Sequence, residues 1–441
     1  MEKEYVLRVG FGKADITPLE SCQLGGLGGV EGSRMSTEIL DRLYTICIAI
    51  TDENDQTVIF NVNDLCQIIN LDGMKEPTMQ ATGVPRENIF LAATHTHSAP
   101  GLEYDMPQAE RYKALVADRI AIAAAQAMAD RKPARMEIAS VQTKNMNFSR
   151  RYINTLGGIF NNINGTIRVG PENEADPQLQ LLKFVREGGK DIILSNFQTH
   201  HHGEAATKWF TGITSNFFGA YRDSLEERTG CHVAYFSGAG GNLAAYNNYE
   251  KELNVSTGYR DHGVKLADFA MQAVDFKPLK AGPVQIIKRT YTGEVNKVPE
   301  LEEIATIARN ISEYERDEER AKEMIKGTPI KSVIHARGIY NNSLLPDTFD
   351  VTLIGVSIGD LAVATAPCEM YDINGKEVKD RSPFAATLVF QLCNGSVGYI
   401  PSEIAYSHGG YEIEVTKFKK GTGEGFRDTF LGMFKEMKEA Q

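Results

Sequence analysis

The 441-residue chain has no Cys-x-x-Cys pair, no apolar run of the length a membrane helix needs, no Gly-x-x-x-x-Gly-Lys-Ser/Thr segment and no excess of basic residues. Each absence removes a class of function. The six cysteines, Cys22, Cys47, Cys66, Cys231, Cys368 and Cys393, lie scattered in or beside apolar stretches. That placement suits reduced core residues rather than a disulfide framework or a thiolate zinc site. Lys plus Arg total 47 against 58 for Asp plus Glu, a net charge of -11, so no phosphate backbone is expected as a partner and nucleic acid is set aside. The first ten residues lack the apolar core of a signal peptide. The chain as given is therefore expected to be cytoplasmic, with no transmembrane segment. No internal repeat, low-complexity tract or linker-like composition shift interrupts it. The glycine cluster at 24–32 does not open a helix after a strand, so a dinucleotide site is weakly supported.

Present instead is the composition of an ordinary globular protein, 42% hydrophobic and 24% charged, long enough for one large or two ordinary domains. Runs rich in β-branched residues predict strands at 44–51, 57–62, 88–92, 136–142, 179–185, 192–198, 232–236, 284–289, 351–358, 361–365 and 387–391. Apolar spacing near 3.6 predicts helices at 108–130, 215–229, 264–273, 300–325 and 425–440. Interspersed strands and helices favour an α/β fold, or a mixed α+β one, with layered sheets flanked by helices.

The chemistry concentrates where three predicted strands end. An apolar run leads into Thr94-His95-Thr96-His97-Ser98-Ala99-Pro100-Gly101. In an extended segment His95 and His97 would share a face and look into one cleft. Imidazole is a common zinc ligand, so the second histidine is either another ligand or an acid/base group beside the metal. A second strand gives out at His200-His201-His202, of which at most two can aim at one ion. A third ends at Pro367-Cys368-Glu369, expected at the start of a helix. Two histidines and a glutamate form a set that zinc accepts, with a position left for water. The plainer alternatives are a loop histidine pair, a hydrated histidine cluster and a helix N-terminal acid. Asp15, Asp41 and Asp64 fall near the expected cleft, and Asp64 could orient a histidine, although a strand-end aspartate is more often a turn former.

Taken in order, the run 9–18 (Val-Gly-Phe-Gly-Lys-Ala-Asp-Ile-Thr-Pro), the His-Thr-His-Ser-Ala-Pro-Gly block, Asn196-Phe197-Gln198-Thr199-His200, Gly238-Ala239-Gly240-Gly241-Asn242 and the stretch from Gly398-Tyr399 to Tyr411-Glu412 resemble the catalytic domain of neutral, non-lysosomal ceramidases. The resemblance implies zinc held by His95, His200, Glu369 and Tyr399, with His97 as acid/base. It also implies that Arg150 and Tyr411 bind and polarise a substrate carbonyl. Arg151 is adjacent to Arg150, and Ser149 stands where the family has asparagine. The family serine in Gly-Asp-Val-Ser-Pro-Asn is matched by Ala244, which cannot be a nucleophile. One ceramidase-like catalytic domain over 1–441 is expected, without the family's C-terminal β-sandwich. The implied activity is zinc-dependent hydrolysis of a small-molecule N-acyl amide, in lipid metabolism or on a more soluble substrate. A zinc esterase or other metal-dependent hydrolase, and a non-catalytic small-ligand binding protein, are the alternatives.

Overall fold

A computed structural model describes residues 7–26, 34–160, 166–203, 210–297, 306, 308–311, 318–328 and 330–441. Half of the predicted helix at 300–325, and parts of the glycine clusters at 24–32 and 157–170, lie outside these residues. The β-branched runs form strands as expected, with Tyr44–Thr51 matching residue for residue and the others within a few residues of their predicted ends.

Nine of the strands form one mixed sheet whose edges are Ile89–Ala93 and His232–Ser237. Each edge strand runs parallel to its neighbour, Ile89–Ala93 to Thr57–Asn63 and His232–Ser237 to Ile192–Phe197. The remaining pairs of that sheet are antiparallel. A four-stranded sheet, Val284–Glu294, Thr348–Ile358, Leu361–Ala366 and Ala386–Gln391, packs on its inner face. The dry interior between the sheets contains Phe11, Phe60, Phe90, Phe236, Val356, Val363, Leu388 and Phe390. Phe390 stacks on Phe236 with centroids 4.3 Å apart and meets Phe60 edge-on at 5.6 Å.

Helices cover the outer faces. Leu71–Thr82 and Pro107–Ala129 bury their apolar sides on one part of the large sheet, and Asn216–Thr229 with Tyr259–Ala270 on another. Asp372–Arg381 and Thr422–Glu439 close the small sheet. Helix, sheet, sheet and helix make four layers, the mixed layered architecture expected of the sequence. Among the described residues no helix is long and apolar enough to cross a membrane.

The large sheet is curved enough for its edges to meet. Ser237 Oγ donates to the carbonyl of Thr94 at 2.8 Å, linking the ends of the two edge strands directly. The strand Ala386–Gln391 and the turn after it bridge both edges from inside. Asn196 Nδ2 donates to Val389 O at 2.9 Å, and Asn394 N donates to Leu91 O at 2.7 Å. Since parallel neighbours end on the same side, this seam gathers the C-terminal ends of four strands.

The strand Leu7–Asp15 lies beside Tyr44–Thr51, with Gly12 opposite Cys47, under the alanine-rich face of Pro107–Ala129. A Cβ on Gly12 would overlap the Ala123 carbonyl oxygen, so only glycine lets this helix sit so close to the strand. Gly12→Ala is expected to lower stability by roughly 1–3 kcal/mol through overpacking. Urea unfolding would measure it, and an unchanged midpoint would show that the helix is free to lift.

Candidate metal and acid/base site

The site forms on the seam. The strand Ile89–Ala93 ends as Thr94 N donates to Asn63 O and His95 N donates to Leu65 O, at 2.9 and 3.0 Å. His95 then takes φ +72°, a left-handed conformation uncommon for a residue with a Cβ. The expected extended His-x-His segment is thus corrected to a kinked one. Both rings still face one point, with the Nε2 atoms 3.1 Å apart. His200 follows Ile192–Phe197, the neighbour of the opposite edge.

Glu369 does not begin a helix. Glu369–Met370 is a short strand pairing in parallel with Tyr399–Ile400, and the helix starts at Asp372. That register sets Glu369 opposite Tyr399 and brings the carboxylate and the phenol to one place. Glu369 Oε2 lies 3.2 Å from His95 Nε2 and 3.0 Å from His200 Nε2. One ligand atom from each of His95, His200 and Glu369 falls within 4.8 Å of the others, and all three side chains are nearly or fully buried. The Tyr399 ring lies nearly parallel to His200, centroids 6.4 Å apart.

Hydrogen-bond chemistry decides what this cluster wants. His95 Nδ1 is 2.8 Å from Cys66 O and His200 Nδ1 is 2.6 Å from Gly240 O. A carbonyl only accepts, so each Nδ1 carries the hydrogen and, in neutral rings, each Nε2 is a bare lone pair. Two lone pairs then face a carboxylate oxygen, which is also only an acceptor. The arrangement is repulsive until a cation enters, and it fits a divalent metal with both histidine tautomers preset. Without a metal, a proton fills that role. Against the cost of burial, Cys66 and the Glu369 carboxylate hold the His95 imidazole well above its ordinary range. Glu369 is likewise well below the carboxylate range, burial being outweighed by His95 and His200. Burial and the Arg150 charge push His200 down to about 4.

A second group, Cys66, His95 and His97, also lies close enough to surround an ion. Its sulfur approaches His95 on the Nδ1 edge, 3.7 Å away, and that edge is already bonded to Cys66 O. His97 sits at the other edge, so the group with His200 and Glu369 is the better fit.

Burial and neighbouring His201 hold His97 well below the ordinary histidine range, so it is neutral. Its Nδ1 is buried without a hydrogen-bond partner among the described residues. His201 packs edge-on against it, ring centroids 3.9 Å apart. The guanidinium of Arg150 lies 5.4 Å from the centre of the Tyr399 ring and is hydrogen-bonded to that side chain. Its Nη2 donates to Gly241 O at 2.8 Å. Arg151 points away, into paired carboxylates at Glu172 and Glu412, which separates the two adjacent arginines. Burial and the Glu369 charge raise the Tyr399 hydroxyl well above the phenol range, with Arg150 opposing. A cation beside it would reverse that balance. Tyr411 is 47% exposed, rings 5.7 Å from Tyr399.

Asp64 orients no histidine. It is fully buried against Arg222, whose Nη1 and Nη2 donate to it at 2.7 and 2.5 Å, and it also accepts from Tyr44 N. Asp41 accepts from Thr214 and Tyr259, and Asp15 from Thr17 and Arg42. The groups that set the histidines are backbone carbonyls, which no side-chain pattern marks. Gly240 alone carried a signal, as part of a glycine cluster: a Cβ there would sit 2.9 Å from Thr199 N. Ala244 lies on the short ladder Leu243–Ala244 opposite Phe148–Ser149, immediately before Arg150.

No family model matches the chain. Among curated proteins it is similar to the neutral ceramidase of Pseudomonas aeruginosa, 26% identical over 254 residues. That match takes in 54% of this chain and 37% of the relative, so it spans little more than a third of the relative's length. Two solved structures share its fold at a TM-score of 0.72. A ceramidase complexed with C2 is 18% identical, with 99% of this chain and 76% of that one covered. The neutral ceramidase from Pseudomonas aeruginosa is 19% identical, with 99% and 75% covered. The chain has the fold of these ceramidases and is similar in sequence to part of one of them. Within this fold the metal-fitting cluster lies at the seam, apart from the surface crevice of about 420 Å³ lined by Gln180 and Lys277.

Metal binding must displace the proton shared by His95 and Glu369. Zinc titrated into metal-free protein is therefore expected to release protons and to bind more weakly as pH falls from about 8 to about 6. Calorimetry in buffers of different ionisation enthalpy measures both effects. Glu369→Gln should remove most of the binding, and zinc uptake that ignores pH and survives this substitution would place the ion elsewhere.

Proposed function

We propose that the protein is a zinc-dependent hydrolase of linear N-acyl amides, with His95, His200, Glu369 and Tyr399 holding the metal. The observation that carries this reading is the meeting of a neutral, buried His97 with the lone pairs of His95, His200 and Glu369 at one point. A structural metal needs no free imidazole beside it. Bound there, zinc would supply an acidified water and polarise the substrate carbonyl.

The chain's own groups do the rest. His97 has its Nε2 at the cluster and its ring unprotonated, so it can take a proton from the attacking water and return it to the leaving amine. Arg150 lies over the Tyr399 ring and is hydrogen-bonded to that side chain, and the half-exposed Tyr411 packs edge-on against the same ring. Together they can donate to an oxyanion developing on the carbonyl, on the order of 3 kcal/mol for each well-placed donor. No hydroxyl nucleophile is available at Ala244, which supports attack by water rather than through an acyl-enzyme. The relatives are named for ceramide. The alanine in place of the family serine supports a different amide here.

A product screen over ceramides, N-acyl amines and N-acyl amino acids, with esters of the same acyl groups, tests the bond that is cleaved. On the best amide, His97→Ala is expected to keep about one zinc per chain and to lose roughly 10²- to 10⁴-fold in kcat. Normal turnover in that variant would remove the acid/base assignment. Cleavage of esters alone would move the protein to the esterases.

A further inference from the structure

The site's cation Arg150 is held by a carboxylate that takes no part in the chemistry described above. Glu412 is buried, follows Tyr411 directly and divides its oxygens between two arginines. Oε1 accepts from Arg150 Nε at 2.7 Å and Oε2 from Arg151 Nη1 at 2.7 Å. Arg151 has a second, bidentate partner in Glu172, with Nε and Nη2 donating at 2.6 and 2.9 Å. Glu172 in turn meets His408 Nδ1 at 2.7 Å. Among the described residues Arg150 bonds to no second carboxylate, its other partners being Gly241 O and the Tyr399 side chain. The row of charges is balanced, two guanidinium groups against two carboxylates.

We infer that Glu412 is the positioning residue for Arg150, aiming its guanidinium at the substrate carbonyl and tying that aim to the segment that carries Tyr399 and Tyr411. This rests on the hydrolase reading above. The asymmetry in partners gives the inference its content. Replacing Glu412 by glutamine leaves a single acceptor oxygen for two arginines and one uncompensated buried positive charge. Arg151 stays anchored by Glu172, so Arg150 is the one released. A merely structural network would respond alike at either carboxylate.

The test compares Glu412→Gln with Glu172→Gln in the full-length zinc-loaded protein, on the best amide of the product screen. Glu412→Gln is expected to keep its zinc and lose about 10- to 100-fold in kcat. Glu172→Gln should remain within about twofold of the parent. In an Arg150→Gln background the Glu412 substitution should cost nothing further, because the residue it positions is gone. Glu412→Asp restores the charge and should recover part of the loss, which covers the case in which Glu412→Gln folds poorly. Equal losses in the two glutamine variants, or an undiminished loss in the Arg150→Gln background, would overturn the inference. Crystal structures of the zinc-loaded variants give a readout without turnover. Arg150 should leave the Tyr399 ring in Glu412→Gln and stay over it in Glu172→Gln, and an unmoved Arg150 refutes the positioning role even if no amide proves to be a substrate.

Discussion

Two backbone carbonyls, of Cys66 and Gly240, take the Nδ1 hydrogens of His95 and His200 and so leave the Nε2 lone pairs pointing at Glu369. Donor atoms that repel one another at about 3 Å are costly to bury unless something positive joins them, either a proton on His95 or a metal ion. The fold therefore gathers lone pairs at one point. Every other feature of the site is arranged around that constraint: the strained backbone at His95, the pairing of Glu369 with Tyr399, and Arg150 held over the phenol ring.

Such a cluster can persist because it is built on buried, closely packed strands. The seam unites both edges of a nine-stranded sheet with a strand from a second sheet, over a core of interlocking phenylalanines. Its edges leave few open strand groups there, since Ser237, Asn196 and Asn394 spend their polar atoms across the join. Buried ion pairs brace the surroundings, Asp64 with Arg222 behind His95 and Glu412 with Arg150 and Arg151 behind Tyr399. Removing one partner from such a pair strands a charge in a low dielectric, which is why these contacts hold geometry firmly even where their net contribution to stability is small.

The legibility of the sequence follows the range of the interaction concerned. Tyr44–Thr51 and Leu361–Ala366 announce themselves because burial on both faces demands continuous β-branched or small apolar residues. Leu7–Asp15 hides, because Gly10 and Gly12 dilute its strand signal for the sake of a helix more than a hundred residues away. The polar helix Asp372–Arg381 shows weak periodicity, and the two-residue strand before it is too short to carry any, so Glu369 reads as a helix start. Asp64 looks like a candidate orienter of histidine until Arg222, distant in sequence, is seen to occupy both its oxygens.

The sequence by itself marked two imidazoles and a carboxylate at the ends of apolar runs, and its resemblance to the neutral ceramidases added the phenol of Tyr399. Covalent neighbours suffice for that, because a buried strand must be apolar and must stop where its polar residues begin. His200 and Arg150 were implied by the resemblance, but only the tertiary structure showed how His200 comes to face Glu369 and Arg151 to turn away, and which nitrogen of each ring is free. Adjacent side chains diverge by backbone geometry, and a ring's tautomer depends on what lies across from it, so those choices wait on contacts between segments that meet only when the curved sheet closes on itself.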